Sequence, residues 1–141
     1  MTENFTPEER AAMKERAAEV RKQAKRGAKA DPEKDLLEKI AEMTDDDRAI
    51  AERLHALVAE HAPSLTPKTW YGMPGYALDG KVLVFFQAAA KFKVRYATIG
   101  FNDTATLDEG TLWPTAFAVT KLGPAEEAFI AELLRKAVTA P

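Results

Sequence analysis

The hydrophobic period changes half-way along the chain, and this change constrains the fold more than any other feature of the sequence. Before residue 63 the apolar residues recur at intervals of three and four, which is the spacing of a helix with one buried face. Residues 82–86 (Val-Leu-Val-Phe-Phe) are instead apolar without interruption, which is typical of a strand covered on both faces. Helices and strands therefore occupy different parts of the chain, and the sequence predicts an α+β fold.

Residues that favour helix starts mark four points along the chain. At the first of them the Thr6 hydroxyl can accept a main-chain N–H, Pro7 needs no N–H bond, and Glu9 completes a capping box. Asp31 before Pro32 repeats the order of a capping residue followed by proline. We expect helices that begin at residues 7, 32, 45 and 124, the third of which ends near residue 61.

The second half of the chain predicts an antiparallel sheet. The dipeptide Asp79-Gly80 tolerates two positive φ angles, so it predicts a hairpin turn between the apolar runs on either side. We expect three to five strands packed against the N-terminal helices and a C-terminal helix. The predicted strands cover residues 76–78, 81–87, 93–101 and 115–119, and a short helical turn is predicted over residues 66–72.

Charged residues are dense over residues 1–62 and sparse over residues 63–141, and the first helix of the dense part has the thinnest apolar stripe. We expect residues 1–30 to form a charged helical extension and residues 31–141 to form a single α+β domain. The extension has a thin apolar seam, which either packs on the domain or serves for a protein partner or self-association. Its basic cluster either complements the helix dipole or contacts a nucleic acid or an acidic partner. The seam consists of Met13, Ala17, Val20 and Ala24, and the basic cluster of Arg21, Lys22, Lys25, Arg26 and Lys29.

The inventory of reactive side chains argues against several classes of enzyme. The chain has no cysteine, a single serine (Ser64) outside any nucleophile-elbow motif, and no glycine-rich phosphate loop. His55 and His61 lie about 120° apart around one predicted helix, so they cannot share a metal as a His-x-x-x-His pair does. The acids at residues 45–47 suit the first turn of a helix better than a metal site. We therefore expect no catalytic residue, no metal and no cofactor, and the chain is more typical of a binding protein than of an enzyme.

Composition also limits the partners and the location. A formal charge of −2 is not the electrostatic signature of a dedicated nucleic-acid binder. The longest apolar run, residues 82–86, is far shorter than the ~20 residues of a membrane span, and the polar start has no secretory signal. We expect a cytoplasmic protein that binds neither a membrane nor nucleic acid.

The region around residues 70–76 is the most suggestive of a binding site. Two glycines and a proline interrupt a run of three aromatic residues and a methionine, so the stretch forms either a core plug or the wall of a pocket. Basic residues follow at alternate positions of a predicted strand, which places them on one face. An aromatic wall with a basic rim suits a small anionic or aromatic ligand. The candidate ligand-binding residues are Trp70, Tyr71, Met73, Tyr76, Lys91, Lys93, Arg95 and Trp113.

Residues 71–76 read Tyr-Gly-Met-Pro-Gly-Tyr, and Leu-Asp-Gly-Lys follows at residues 78–81 with Phe-Phe at residues 85–86. In these features the sequence resembles the YdhG-like family of domains of unknown function, whose hallmark is a Tyr-Gly-Met-Pro-x-Tyr stretch followed by a hairpin. The similarity extends over about residues 45–138 and leaves out the N-terminal helix. It implies a compact α+β domain. Some members are labelled as intracellular iron chaperones by likeness to the frataxin fold.

Three functions are therefore open at the level of the sequence. The first is a small binding domain for a small anionic or aromatic ligand or for a partner protein. The alternative is a frataxin-like iron-binding chaperone, which only the resemblance implies. The second alternative is an enzyme that uses a tyrosine, a lysine or a carboxylate as its acid or base, which no residue spacing demands.

Overall fold

The computed structural model of the chain describes residues 5–26 and 31–140, and in the first range it describes the side chains as far as residue 21. The helices are α1 (Pro7–Arg26), α2 (Pro32–Ala41), α3 (Asp45–His61), α4 (Ala89–Phe92) and α5 (Pro124–Ala137). The strands are β1 (Thr66–Trp70), β2 (Met73–Leu78), β3 (Lys81–Gln87), β4 (Ala97–Phe101) and β5 (Ala116–Val119). Within these described ranges no helix has the length and the hydropathy to cross a membrane.

Capping bonds confirm the predicted starts of the first two helices. In front of α1 the Glu9 N–H donates to the Thr6 hydroxyl (3.0 Å), and the Thr6 N–H donates to the Glu9 carboxylate (2.8 Å). In front of α2 the Lys34 N–H donates to the Asp31 carboxylate (3.2 Å). These bonds satisfy N–H groups that helix geometry leaves unpaired, so both helices begin where the sequence predicts.

The strands form one antiparallel sheet in the order β1-β2-β3-β4-β5, so each strand pairs with its neighbour in the sequence. Two-residue turns, Tyr71-Gly72 and Asp79-Gly80, join the first three strands. The φ angles of these four residues are all positive, at 53°, 76°, 51° and 83°. Positive φ at both turn positions matches the twist of the paired strands. The α+β class, the antiparallel sheet and the Asp79-Gly80 turn are thus confirmed.

The short helical turn predicted over residues 66–72 is wrong, because residues 66–70 form β1. Thr69 and Trp70 favour extended backbone, and the chain reverses at Tyr71-Gly72. The two glycines and the proline of residues 72–75 do not form one turn, because the chain reverses at Tyr71-Gly72 and residues 73–75 already belong to β2. Gly75 lies inside β2, where it pairs with Lys68 on one side and Phe85 on the other.

The strand predicted over residues 93–101 begins four residues late, at Ala97. Before it the chain forms the single-turn helix α4, whose last residue is followed by Lys93 in the left-handed conformation (φ 55°). The buried carboxylate of Asp47 starts this helix by accepting the N–H groups of Ala89 (3.2 Å) and Ala90 (3.0 Å). The alternate spacing of residues 91, 93 and 95 therefore does not place them on one strand face.

The main hydrophobic core lies between one face of the sheet and helices α2, α3 and α5. Strand register places Tyr76, Val84 and Phe101 in one row and Phe86 beside Ile99 in another, and all five side chains are buried. β3 is the central strand, as its apolar sequence predicts. The helices contribute Leu36, Ile40, Leu54, Leu57, Ile130 and Leu134.

The opposite face of the sheet is organised around Phe85. Its ring lies over Gly100 on the neighbouring strand, where a Cβ atom would overlap the ring atoms. The same ring contacts Trp70, with 5.1 Å between the ring centres. A glycine in the interior of β4 is therefore explained by the room that an aromatic neighbour needs.

Replacing Phe86 by alanine tests the core. The side chain is fully buried in the central strand, so Phe86→Ala is expected to lower the free energy of unfolding by about 3–5 kcal/mol. Urea unfolding followed by far-UV circular dichroism measures the change. A loss of the size seen for an exposed residue would contradict the assignment of β3 to the core.

Helix α1 lies outside the main hydrophobic cluster. Ala12 is its buried apolar residue, whereas Met13 (38% exposed) and Val20 (49% exposed) face solvent together with Ala17. The predicted seam is therefore not the face that packs on the domain. The side chains of Ala24 and of the basic residues Lys22, Lys25 and Arg26, and the whole of Lys29, lie outside the described part of the chain.

Removal of residues 1–28 tests whether α1 is needed for folding. Because no described residue of α1 belongs to the main hydrophobic cluster, a chain that begins at Lys29 is expected to fold. It should lose only the helical signal of α1 in circular dichroism and should still unfold cooperatively on heating. A truncated chain without a cooperative transition would place α1 within the structural core.

Candidate functional site

The predicted site residues are distributed over three parts of the fold. Four belong to the first hairpin, three to the segment around α4, and one to the loop between β4 and β5. Trp70, Tyr71, Met73 and Tyr76 lie on β1, its turn and β2; Lys91, Lys93 and Arg95 lie on and after α4; Trp113 precedes β5.

The structure brings the first hairpin turn and α4 together. The Lys91 ammonium lies 3.4 Å from the Tyr71 carbonyl oxygen, and the Tyr71 and Trp70 rings meet edge to face with 5.0 Å between their centres. Both rings are partly exposed. Tyr71 and Lys91 are therefore neighbours, and Lys91 reaches this position from α4 instead of from a strand.

Other members of the predicted set are placed elsewhere. Met73 and Tyr76 are buried, and Trp113 packs against the hydrophobic core. Arg95 is exposed and its guanidinium stacks over the Tyr96 ring at 5.2 Å. That these side chains form one pocket with Tyr71 and Lys91 stays a prediction.

Tyr76 belongs instead to a chain of polar groups that links three elements. Its hydroxyl lies 3.0 Å from His55 Nδ1 on α3, and His55 Nε2 lies 2.9 Å from the Glu33 carboxylate on α2. Burial, followed by the charge of Glu33, raises the pKa of Tyr76, so its hydroxyl keeps its proton. In the neutral Nε2–H tautomer the tyrosine donates to His55, which donates to Glu33.

Loss of the Tyr76 hydroxyl is expected to destabilise the fold. Tyr76→Phe leaves a histidine nitrogen without its partner in a partly buried position, which costs about 1–3 kcal/mol of unfolding free energy. Tyr96→Phe is the matched control, since Tyr96 is exposed and should change stability by less than about 0.5 kcal/mol. Equal effects of the two substitutions in urea unfolding would contradict this role.

A surface of cationic and N–H donors lies beside the Tyr71-Gly72 turn. We call the side chains of Lys39, Lys91 and Lys93 and the main-chain N–H of Gly72 the lysine surface. Each of its four groups donates to a carboxylate of α1. The contacts are Lys93 Nζ to Glu8 Oε1 (3.1 Å), Lys91 Nζ to Glu15 Oε1 (2.9 Å), Lys39 Nζ to Glu15 Oε2 (3.2 Å) and Gly72 N to Glu19 Oε2 (2.9 Å).

The contacts with lysines lower the pKa of Glu8 and of Glu15 and so favour their charged forms. Partial burial of Glu15 opposes its ionisation, but hydrogen bonds from Lys91 and Lys39 outweigh burial, so the pKa of Glu15 lies below its usual value. The hydrogen bond from Lys93 likewise lowers the pKa of Glu8. A carboxylate with a depressed pKa stabilises the folded state above its unfolded pKa and stops doing so as the pH falls through its folded pKa. The contacts therefore persist at neutral pH and are lost only in acid.

Gly72 allows α1 to approach the turn closely. Its φ angle is +76°, and a Cβ atom at this position would overlap the Glu15 carboxylate and the Lys91 ammonium. The preceding residue, Tyr71, presents its ring to the Arg16 guanidinium at 5.8 Å. The turn that the sequence marks as a candidate site thus lies directly beneath α1.

A cleft continues from the lysine surface towards the start of α4. It has a volume of about 420 Å³ and is bordered by Glu15, Asp47, Gly72 and Lys91. The Asp47 carboxylate at this border accepts the Ala89 and Ala90 N–H groups and the Thr44 hydroxyl (3.2 Å). The cations that line the cleft are Lys39 and Lys91, both paired with Glu15. The cleft gives a small molecule access to the lysine surface from the side.

The histidines and aspartates that were considered as metal ligands contact other side chains. Asp45 pairs with Arg48, and His61 Nδ1 lies 2.7 Å from the Arg135 guanidinium. Among the side chains that the structure describes, no group of three or more His, Asp or Glu residues could hold a metal ion. The aspartates at residues 45–47 lie in the first turn of α3. Asp45 also pairs with Arg48, and Asp47 also accepts the N–H groups at the start of α4.

Three residues of this region, Tyr71, Lys91 and Lys93, are among the predicted site residues. The acidic and basic residues that contact them were missed. A signal for the acids was available, because residues 8, 15 and 19 are separated by seven and four positions and share one face of a helix. No comparable signal marks the lysine of α2, which tertiary packing alone brings to the surface. The missed residues are Glu8, Glu15, Glu19 and Lys39.

Comparison with known proteins gives no match. No protein-family model matches the chain, and no curated protein and no solved structure matches it either. The assignment of function therefore depends on the geometry of the described residues.

Proposed function

We propose that the protein is a binding domain for small carboxylate-bearing anions and that the lysine surface is its binding site. The observation that supports the proposal is the convergence of four donors on the carboxylates of one helix. Three of the donors are lysine side chains from two separate elements, and the fourth is the N–H of a hairpin turn. Charge-assisted bonds of this kind recognise carboxylates strongly.

In this structure α1 occupies the site with its own acids. Its contacts with the domain are polar, and Ala12 is the buried apolar residue that it adds. Partly exposed ion pairs contribute only about 0–1 kcal/mol each, so an anion with several carboxylates can compete with α1 for the same donors. Because carboxylates of α1 occupy these donors, we expect the ligand to carry carboxylates too.

Tyr71 adds an aromatic surface to the site. Its ring is covered by Arg16 of α1 while α1 is bound, and Trp70 supports it from the side. Displacement of α1 would expose the ring beside the lysines. A carboxylate ligand with a planar group can then stack on Tyr71 while its charged group binds Lys91. Neither iron binding nor an enzymatic reaction has a comparable observation in its favour.

Charge removal on α1 tests the proposal. Glu15→Gln/Glu19→Gln weakens the internal competitor, so the double variant is expected to bind citrate several-fold more tightly than the wild-type chain in isothermal titration calorimetry. The matched control is Glu52→Gln/Asp108→Asn, which removes two exposed carboxylates of α3 and of the loop between β4 and β5. It changes the net charge by the same amount and should bind citrate as the wild type does.

Two outcomes would contradict the proposal. The first is equal citrate affinity of the α1 variant and the control variant, because net charge alone would then explain the binding. The second is undiminished binding after Lys91→Met is added to Glu15→Gln/Glu19→Gln, because the site would then lie elsewhere.

A further inference from the structure

The free edge of β5 has an unpaired row of main-chain groups. β5 is the last strand of the sheet, and its only pairing in the described chain is with β4. The Phe101 N–H donates to the Thr115 carbonyl (2.7 Å), so residues 115, 117 and 119 direct their main-chain groups towards β4. Ala116 and Ala118 consequently direct theirs to the outside.

The surroundings of this edge are uncharged and apolar. No charged residue occurs from residue 110 to residue 120. Leu112 is 88% exposed and Phe129 of α5 is 54% exposed, while the Phe117 ring packs edge-on against Phe129 with 5.5 Å between centres. Exposed apolar side chains therefore continue from the sheet layer into the helix layer along a single side of the molecule.

The other edge of the sheet is protected in the usual ways. β1 carries Pro67, which lacks an N–H donor, and Lys68, whose charge disfavours pairing with another strand. Helices α1 and α2 also pack against β1. The two edges differ sharply, because β5 contains neither a proline nor a charge.

We propose that the β5 edge binds the same edge of a second copy of this chain, so that two sheets join into one antiparallel sheet of ten strands. A two-fold axis brings an uncharged strand against itself, which avoids the repulsion that a charged edge would meet. Residues opposite one another in an antiparallel pair face the same side. Ala116 and Ala118 would therefore line one face of the joint, and Phe117 with Phe129 would line the other.

A second copy fits this edge better than a charged peptide or a nucleic acid does. The edge offers no cation or anion to either of them, and its alanine side chains leave the backbone accessible. Phe129 and Leu112 require an apolar partner at a fixed distance from the strand. The corresponding side chains of the second copy supply that partner through the symmetry itself.

Sedimentation of the full chain over a wide range of concentrations tests the proposal. The wild type is expected to form a dimer, and Ala116→Lys/Ala118→Lys is expected to abolish it, because like charges then face each other across the joint. Both alanines are exposed in the single chain, so the variant should fold. Ala49→Lys/Ala56→Lys adds the same charges to exposed positions of α3 and should leave the dimer unchanged.

A single Ala118→Cys substitution gives an independent measurement, since the chain has no cysteine of its own. It is expected to yield a disulfide-linked dimer on mild oxidation, whereas Ala56→Cys is not. A monomeric wild type at every concentration would overturn the proposal. A dimer that survives Ala116→Lys/Ala118→Lys but dissociates in Met13→Glu/Val20→Glu would overturn it too, because the exposed seam of α1 would then be the interface.

Discussion

The buried carboxylate of Asp47 is the interaction on which the arrangement of the candidate site depends. A buried charge must be paired, and Asp47 is paired with two N–H groups that belong to a segment 42 and 43 residues away. Those bonds start α4 at the end of the central strand and fix its direction. Lys91 and Lys93 follow from this start, and their positions in turn decide which face of α1 meets the domain.

The positions of these lysines explain why the described residues of the α1 seam face solvent. A seam of one methionine, one valine and small residues offers little area to bury. On the adjoining face two carboxylates contact lysines within 3.2 Å and a third accepts the N–H of Gly72. Each ion pair is weak alone, but together they specify one orientation of the helix. An attachment of this kind holds an element in place without making it part of the main hydrophobic cluster.

Local signals in the sequence predicted much of the fold. The capping groups of Thr6 and Asp31, the Asp79-Gly80 turn and the apolar run of β3 each act over a few residues, and each predicts its element correctly. β1 and α4 were missed because their causes are not local. A tyrosine at positive φ is required at the first turn, and α4 begins at a carboxylate from another helix. The sequence marks Tyr71 and Lys91 as candidate site residues, but their contact depends on α4, which the sequence does not predict.

The aromatic rings on the face of the sheet opposite the main core form a continuous series of contacts. Phe85 lies over Gly100, touches Trp70 at 5.1 Å between ring centres, and Trp70 touches Tyr71 at 5.0 Å. A methyl group at position 100 would push the Phe85 ring aside, and the displacement would pass across three strands to the turn under α1. A substitution in the interior of β4 is thus connected through three aromatic rings to the surface at the opposite edge of the sheet.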